Sequence, residues 1–322
     1  MQRLFTEIGT KFPFEHLQAF HTFILKTFDI ITTEGSENMN KYHQKNTIKI
    51  TELELIVKDL AMMTDYYTKS LGFEIIKQNA SKTVLGVDGA HPIVTLLENK
   101  DAKPRGKAIG LYHFAILLPN RYELGKFLRH VINKQIPISG AANHGVSEAF
   151  YLQDPEDNGI EVYADTDDST WYDEFGSLIM YTSEVDYSGI FYEAKENDVF
   201  TKLPNDTTIG HLHLSVSSLE KARKYYIDAI GFDVSFDEIS TALFAGSNKY
   251  HHHLGMNIWQ TKKPASPVST GLKSFVISYP NCESIIATME KLEKQNYSIK
   301  EIENGYQTTD FDGNIVYLHL SE

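Results

Sequence analysis

Thirteen histidines and a single cysteine, Cys282, set the chemistry open to this 322-residue chain. One thiol allows neither an intramolecular disulfide nor a zinc-thiolate cluster, so imidazole and carboxylate are the metal donors at hand. His211 and His213 stand two apart in a strand-like stretch, which puts both on one face. His113 lies in the apolar run around Phe114, and Glu161 follows a polar turn into another apolar run. A lone histidine on an apolar strand is as a rule a hydrogen-bonded structural residue. An inward Glu161 is different, because a buried carboxylate needs a metal or a nearby Arg or Lys. The run His251-His252-His253 can also take up metal. Strand alternation would send His252 to the face opposite its neighbours, which suits a structural or supporting role. Other chemistries lack their residues: there is no phosphate-binding Walker loop, no GxGxxG after a strand and no GxSxG elbow.

The elements that must position these groups are repeated. Leu53–Phe73 (LELIVKDLAMMTDYYTKSLGF) aligns without a gap on Leu212–Phe232 (LHLSVSSLEKARKYYIDAIGF). Each copy opens with the alternation of a half-buried strand. Asp59 or Ser218 then caps a helix, and Gly72 or Gly231 stops it. A second pair runs from Gly110–Asn120 and Gly271–Asn281 to the polar turns at Asp154–Gly159 and Asp310–Asn314, each feeding a last strand. The pattern predicts four βαβββ modules, at 48–103, 108–165, 208–262 and 270–320, and an α+β fold. One such module buries a sheet face poorly on its own. Two modules edge to edge can curl into an open cup whose inner face lines a pocket.

Composition narrows the setting. Hydrophobic residues are 42% and charged residues 23%, a globular balance. A formal net charge of −13 argues against nucleic acid and against an anionic membrane surface as partners. The apolar stretch 12–31 is interrupted by Glu15, His16, Lys26 and Asp29, and Glu7 and Lys11 sit where the apolar region of a signal peptide would begin, so neither a membrane span nor a signal peptide is expected there. A single thiol suits a reducing cytoplasm. Residues 1–47 are expected to be a poorly ordered extension, with Met39 as an alternative start. Residues 48–165 and 208–322 are expected to be two domains, joined by a partly helical linker over 166–207.

Four strings, GLYHFAILLPNR (110–121), HGVSEAFYLQDPEDNGIEVYAD (144–165), LPNDTTIGHLHLSVSSLEKARKYY (203–226) and YHHHLGMNIW (250–259), resemble the vicinal-oxygen-chelate superfamily of glyoxalases, bleomycin-resistance proteins and extradiol dioxygenases. They are most similar to its bacterial two-domain catechol 2,3-dioxygenase-like members. With the repeats, the resemblance covers residues 48–320. It implies a divalent metal held by inward residues on the first and last strands of a module. His113 and Glu161 match those positions in module two. The third ligand is open: His211 completes a two-histidine, one-carboxylate set if modules two and three share a cup, whereas Glu52 serves if modules one and two do. Module four offers only Ser274 and Tyr317 there. The resemblance also assigns acid–base work to His144 and a substrate-oxygen contact to Tyr151.

Two histidines and one carboxylate suit Fe(II), with Mn, Zn or Ni as alternatives. The implied activity is extradiol cleavage of a catechol-type aromatic diol by dioxygen. A glyoxalase-type isomerase, a thiol transferase or a non-catalytic binding protein use the same fold. Such cups often associate, so a homo-oligomer is allowed, although no sequence feature fixes one.

Overall fold

The computed structural model describes residues 40–266 and 268–321. The four modules are present. Module one holds β1 (Lys49–Val57), helix α1 (Leu60–Asp65), β2 (Glu74–Gln78), β3 (Lys82–Gly86) and β4 (Val94–Glu98). Module two holds β5 (Gly110–Leu117), α2 (Arg121–Lys134), β6 (Gly140–Asn143), β7 (Ser147–Gln153) and β8 (Gly159–Asp165). After α3 (Tyr187–Glu193), module three holds β9 (Thr208–Ser215), α4 (Leu219–Ala222), β10 (Asp233–Phe236), β11 (Ala242–Gly246) and β12 (Leu254–Asn257). Module four holds β13 (Gly271–Tyr279), α5 (Cys282–Lys294), β14 (Ile299–Ile302), β15 (Gly305–Thr309) and β16 (Ile315–Leu320).

The expected caps form. The Asp59 side chain accepts from Met62 N, and Ser218 from Lys221 N. Gly72 and Gly231 end the helices at φ of 88° and 102°, a region that costs glycine nothing. Unexpected from the sequence, α1 and α4 each widen into a π-helical turn, at Tyr66–Ser70 and Arg223–Ile230. These turns carry the paired tyrosines. Tyr67 Oη donates to Asp154 and Tyr226 Oη to Asp310, each the first residue of a turn that feeds a last strand.

Two eight-stranded sheets result, and they do not follow the halves of the chain. One runs β14-β15-β16-β13-β1-β4-β3-β2, joining module four to module one. The other runs β10-β11-β12-β9-β5-β8-β7-β6, joining module three to module two. The division into 48–165 and 208–322 is therefore not a division into cups, and modules one and two share none. The physical reason is that the modules' first strands are similar apolar strands. Their pattern sets which face is buried, not which edge they meet. β1 meets β13 and β5 meets β9, both antiparallel. Helices and outward sheet faces share one apolar core, with Leu53, Leu55, Phe114, Phe150, Leu212, Leu214, Phe275 and Ile277 all within 1% of full burial. At about 1.5–3 kcal/mol for each large side chain buried, this common layer holds both sheets to one body.

Residues 1–39, which carry most of the expected extension and the Met39 start, lie outside the described residues. Residues 40–47 are not a loose tail. His43 is buried, Tyr42 Oη donates to Asp168, and the Tyr42 ring stacks on Trp171 at 5.2 Å. Residues 166–207 contain α3 and a 3-10 turn at Asp168–Thr170. No helix among the described residues is long and apolar enough to cross a membrane.

Candidate metal centre

Two rows of side chains cross the inner face of the two-three cup, and strand register defines both. In the first, Tyr151 on β7 pairs with Glu161 on β8, Glu161 with Ala115 on β5, and Ala115 with His211 on β9. In the second, Gly159, His113, His213 and Gly255 stand side by side on β8, β5, β9 and β12. Residues two apart on a strand share a face, so the rows lie together. Ala115 leaves open space between Glu161 and His211. The flanking glycines make room for the imidazoles, since a Cβ on Gly159 would stand 3.0 Å from the His113 Cβ and one on Gly255 3.0 Å from the His213 ring.

This packing brings His113, Glu161 and His211 together, all buried. His113 Nε2 lies 3.0 Å from Glu161 Oε2, His211 Nε2 lies 3.3 Å from the same oxygen, and the two nitrogens are 3.2 Å apart. Burial alone would raise the Glu161 carboxyl, but attraction from His211 and hydrogen bonds from both histidines hold it well below its usual range. Burial pushes His211 down to about 4 in spite of Glu161. An ionised carboxylate beside a neutral imidazole is the protonation state that metal binding requires.

The triangle itself fits a metal. Two imidazole nitrogens aimed at each other and at one oxygen satisfy one another poorly as hydrogen-bond partners. Yet edges of 3.0–3.3 Å match a face of an octahedron whose ligands stand about 2.1 Å from a divalent ion, for which the edge is about 3.0 Å. His211 Nδ1 is buried without a hydrogen-bond partner among the described residues. Within those residues this is the one group of three or more His, Cys, Asp or Glu that gathers so closely. Glu52 takes no part, because it lies in the other cup.

His144 and Tyr151 adjoin the triangle. His144 sits in the β6–β7 turn, its Nδ1 3.1 Å from the Tyr181 carbonyl and its Nε2 2.6 Å from Tyr151 Oη. The carbonyl requires a proton on Nδ1, so Nε2 accepts from the tyrosine. Burial raises the Tyr151 phenol, with the Glu161 charge adding to it, so its proton stays on. The Tyr151 ring is 5.9 Å from that of His113.

Other neighbours were missed in the sequence, or seen there without their partners. His251-His252-His253 leads into β12: His253 already bridges β11 and β9, its N–H donating to the Ala245 carbonyl and its carbonyl accepting from Leu212 N. The Nδ1 atoms of His251 and His252 are 2.9 Å apart, and His251 Nε2 is 3.0 Å from Asp165. The His252 ring lies 4.2 Å from that of His211. His253 faces away and donates to the Tyr42 carbonyl. Asn257 Nδ2 donates to His213 Nε2 at 3.0 Å. Tyr112, Phe244 and Trp259 surround the His213 ring at 5.2–5.6 Å. Glu148 forms a two-point ion pair with Arg121, which also meets Asp186 and Glu193 next to α3. The tail of the histidine run was visible; the long-range partners Asp165 and Arg121 left no local signal.

The chain belongs to the Glyoxalase/Bleomycin resistance protein/Dioxygenase superfamily, whose model matches residues 49–162 and 208–315. It is similar to the catechol-2,3-dioxygenase of Bacillus subtilis (strain 168), with 40% identity over 263 residues, 80% of this chain and 92% of the relative. It is 26% identical over 126 residues, 37% of this chain and 64% of the relative, to biphenyl-2,3-diol 1,2-dioxygenase 3 of Rhodococcus globerulus. Among solved structures, one from Bacillus subtilis subsp. subtilis str. 168 aligns with a TM-score of 0.61, 12% identity and 86% of each chain. Glyoxalase I of Zea mays aligns with a TM-score of 0.53, 18% identity, 84% of this chain and 92% of the other.

Proposed function

We propose that this protein is an Fe(II)-dependent extradiol dioxygenase that opens a catechol-type ring beside its two hydroxyls, working in a reducing cytoplasm within aromatic-compound catabolism. The observation that carries the reading is the two-histidine, one-carboxylate triangle of His113, His211 and Glu161, the donor set that suits non-haem Fe(II) with open positions. The 40% identity to a catechol-2,3-dioxygenase over most of both chains supports the same reaction. A glyoxalase-type site with more carboxylate ligands is not favoured, because the extra candidate, Glu52, lines the other cup.

His113, His211 and Glu161 would hold the iron. Bound there, it would supply the Lewis acidity and one-electron chemistry that bring diol and dioxygen into reaction. The chain's own residues do the rest. Two imidazoles and one carboxylate fix the ligand face. Tyr151 stands next to Glu161 in the same row, where its hydroxyl hydrogen-bonds an oxygen of the incoming diol. His144, with Nδ1 tied to the Tyr181 carbonyl, keeps the Nε2 lone pair turned toward Tyr151 and takes or returns a proton through it. The rings of Tyr112, Phe244 and Trp259 give the cup an aromatic wall against which a flat substrate packs.

The test is anaerobic purification with Fe(II), elemental analysis, and oxygen uptake with catechol. About one iron per chain and catechol-dependent oxygen consumption are expected, both lost in Glu161→Ala. Stoichiometric Zn, Ni or Mn with no oxygen uptake after Fe(II) reconstitution would overturn the reading.

A further inference from the structure

His213 shares a face of β9 with His211, yet it takes no part in the triangle. A short run of hydrogen bonds fixes what it does instead. The Trp259 backbone N–H donates to Asn257 Oδ1 at 3.1 Å, and a backbone N–H can only donate. That contact sets the Asn257 amide one way round, with Oδ1 also accepting from Ser215 Oγ at 3.1 Å. Nδ2 is then the atom 3.0 Å from His213 Nε2, and an amide nitrogen is a donor as well. His213 Nε2 must offer its lone pair there, so the proton of the neutral ring sits on Nδ1. His213 is thereby withheld from a metal at Nε2 and becomes a hydrogen-bond donor with a fixed tautomer.

The surroundings indicate what that donor is for. His213 is only 4% exposed, and the Nδ1 proton meets no acceptor among the described residues. A buried donor left so costs about 1–3 kcal/mol, which an acceptor on a bound molecule recovers. The ring crosses that of His113 edge to face at 4.9 Å, so it borders the triangle. Tyr112, Phe244 and Trp259 frame it, and Trp259 is pinned through Nε1 to Thr241 Oγ1 at 2.9 Å. The donor thus interrupts the aromatic wall at one point. No Lys or Arg is among these described neighbours, whereas Glu161 lies within electrostatic reach. A neutral acceptor suits such a place; an anion would meet the Glu161 charge with no cation to offset it. Resting on the dioxygenase reading above, we propose that His213 sets substrate specificity, its Nδ1–H recognising a neutral acceptor group such as a carbonyl oxygen on the catechol ring and disfavouring an anionic substituent.

The test is anaerobic calorimetric titration of the iron-loaded full chain with 4-acetylcatechol, the similarly shaped 4-isopropylcatechol, 3,4-dihydroxybenzoate and catechol itself. The readout is the preference for 4-acetylcatechol over 4-isopropylcatechol, compared between parent and variants, because the acidity of each diol is the same in all of them. His213→Leu should cut that preference about tenfold, the scale of one hydrogen bond to a buried donor. His213→Asn, whose Nδ2 falls near the place of the imidazole Nδ1, should restore most of it. Catechol, which lacks the acceptor, measures what either variant does to the site in general, and the loss for 4-acetylcatechol in His213→Leu should exceed it about tenfold. An acetyl preference unchanged in His213→Leu, an equal loss for catechol, or tightest binding of the benzoate to the parent would each overturn the proposal. Failure of catechol itself to bind the iron-loaded parent would overturn the dioxygenase reading, and this proposal with it.

Discussion

Ala115 carries no reactive group, yet the triangle depends on it. It stands between Glu161 and His211 in the row, so a larger side chain would fill the space where their ligand atoms meet. Ala115→Leu should weaken metal binding by about 10–100-fold, as changes to groups that orient ligands do. Its stability cost should stay at about 1–3 kcal/mol, typical of overpacking. Elemental analysis beside a denaturant titration separates the two effects. Tyr151→Phe and His144→Gln make the opposite test: iron should stay bound while kcat falls about 10²–10⁴-fold, the range of general acid–base contributions. His113 and Glu161 were legible as a pair because each occupies a position that the family resemblance specifies. His211 was legible only as one of two candidates, because its place in the triangle depends on which modules share a sheet.

At the scale of elements, the Asp–Asn turns hold the last strands. Asp154 accepts from Glu156 N, Asn158 N, Asn158 Nδ2 and Tyr67 Oη, and Asp310 accepts from Asp312 N, Asn314 N, Asn314 Nδ2 and Tyr226 Oη. Asp154→Ala strands these buried donors and should cost about 3 kcal/mol, measured by urea unfolding. Because the turn feeds β8, the same variant should also lose metal. The turn residues were plain in the sequence, as were the capped helices and the strand starts. The π-helical turns were not, since 3.6-residue periodicity does not report one extra residue. Alternation separates His252, beside His211, from His253, which faces Tyr42, but it does not hold for His251, which lies before the ladder begins and meets His252.

For the whole molecule, each turn also reaches into the other sheet. Glu156, beside Asp154, accepts from Lys58 N and Asp59 N at the start of α1, and Asp312 accepts from Ser217 N before α4. With the common apolar core, these links predict a single unfolding transition for both cups. Iron at about 100 times its dissociation constant should add about 2.7 kcal/mol, raising the midpoint of the entire transition by several degrees. Calorimetry of the loaded and chelated protein checks this; two separate peaks, only one of them responding to iron, would contradict it. The repeat made four modules legible, but module pairing is a tertiary choice among similar strands and left no mark in the pattern.

That pairing also orders events during synthesis. His113 and His211 are 98 residues apart, whereas Glu54 and its partner Ser274 are 220 apart. Every strand of the metal cup has left the ribosome once β12 has emerged. β1, among the first strands made, must wait for nearly the last. Closing so long a loop is slow, and an unpaired apolar edge is open to aggregation meanwhile. The nested order therefore lets the half that carries the His113, Glu161 and His211 triangle mature first and serve as the template on which the outer pair of modules finally closes.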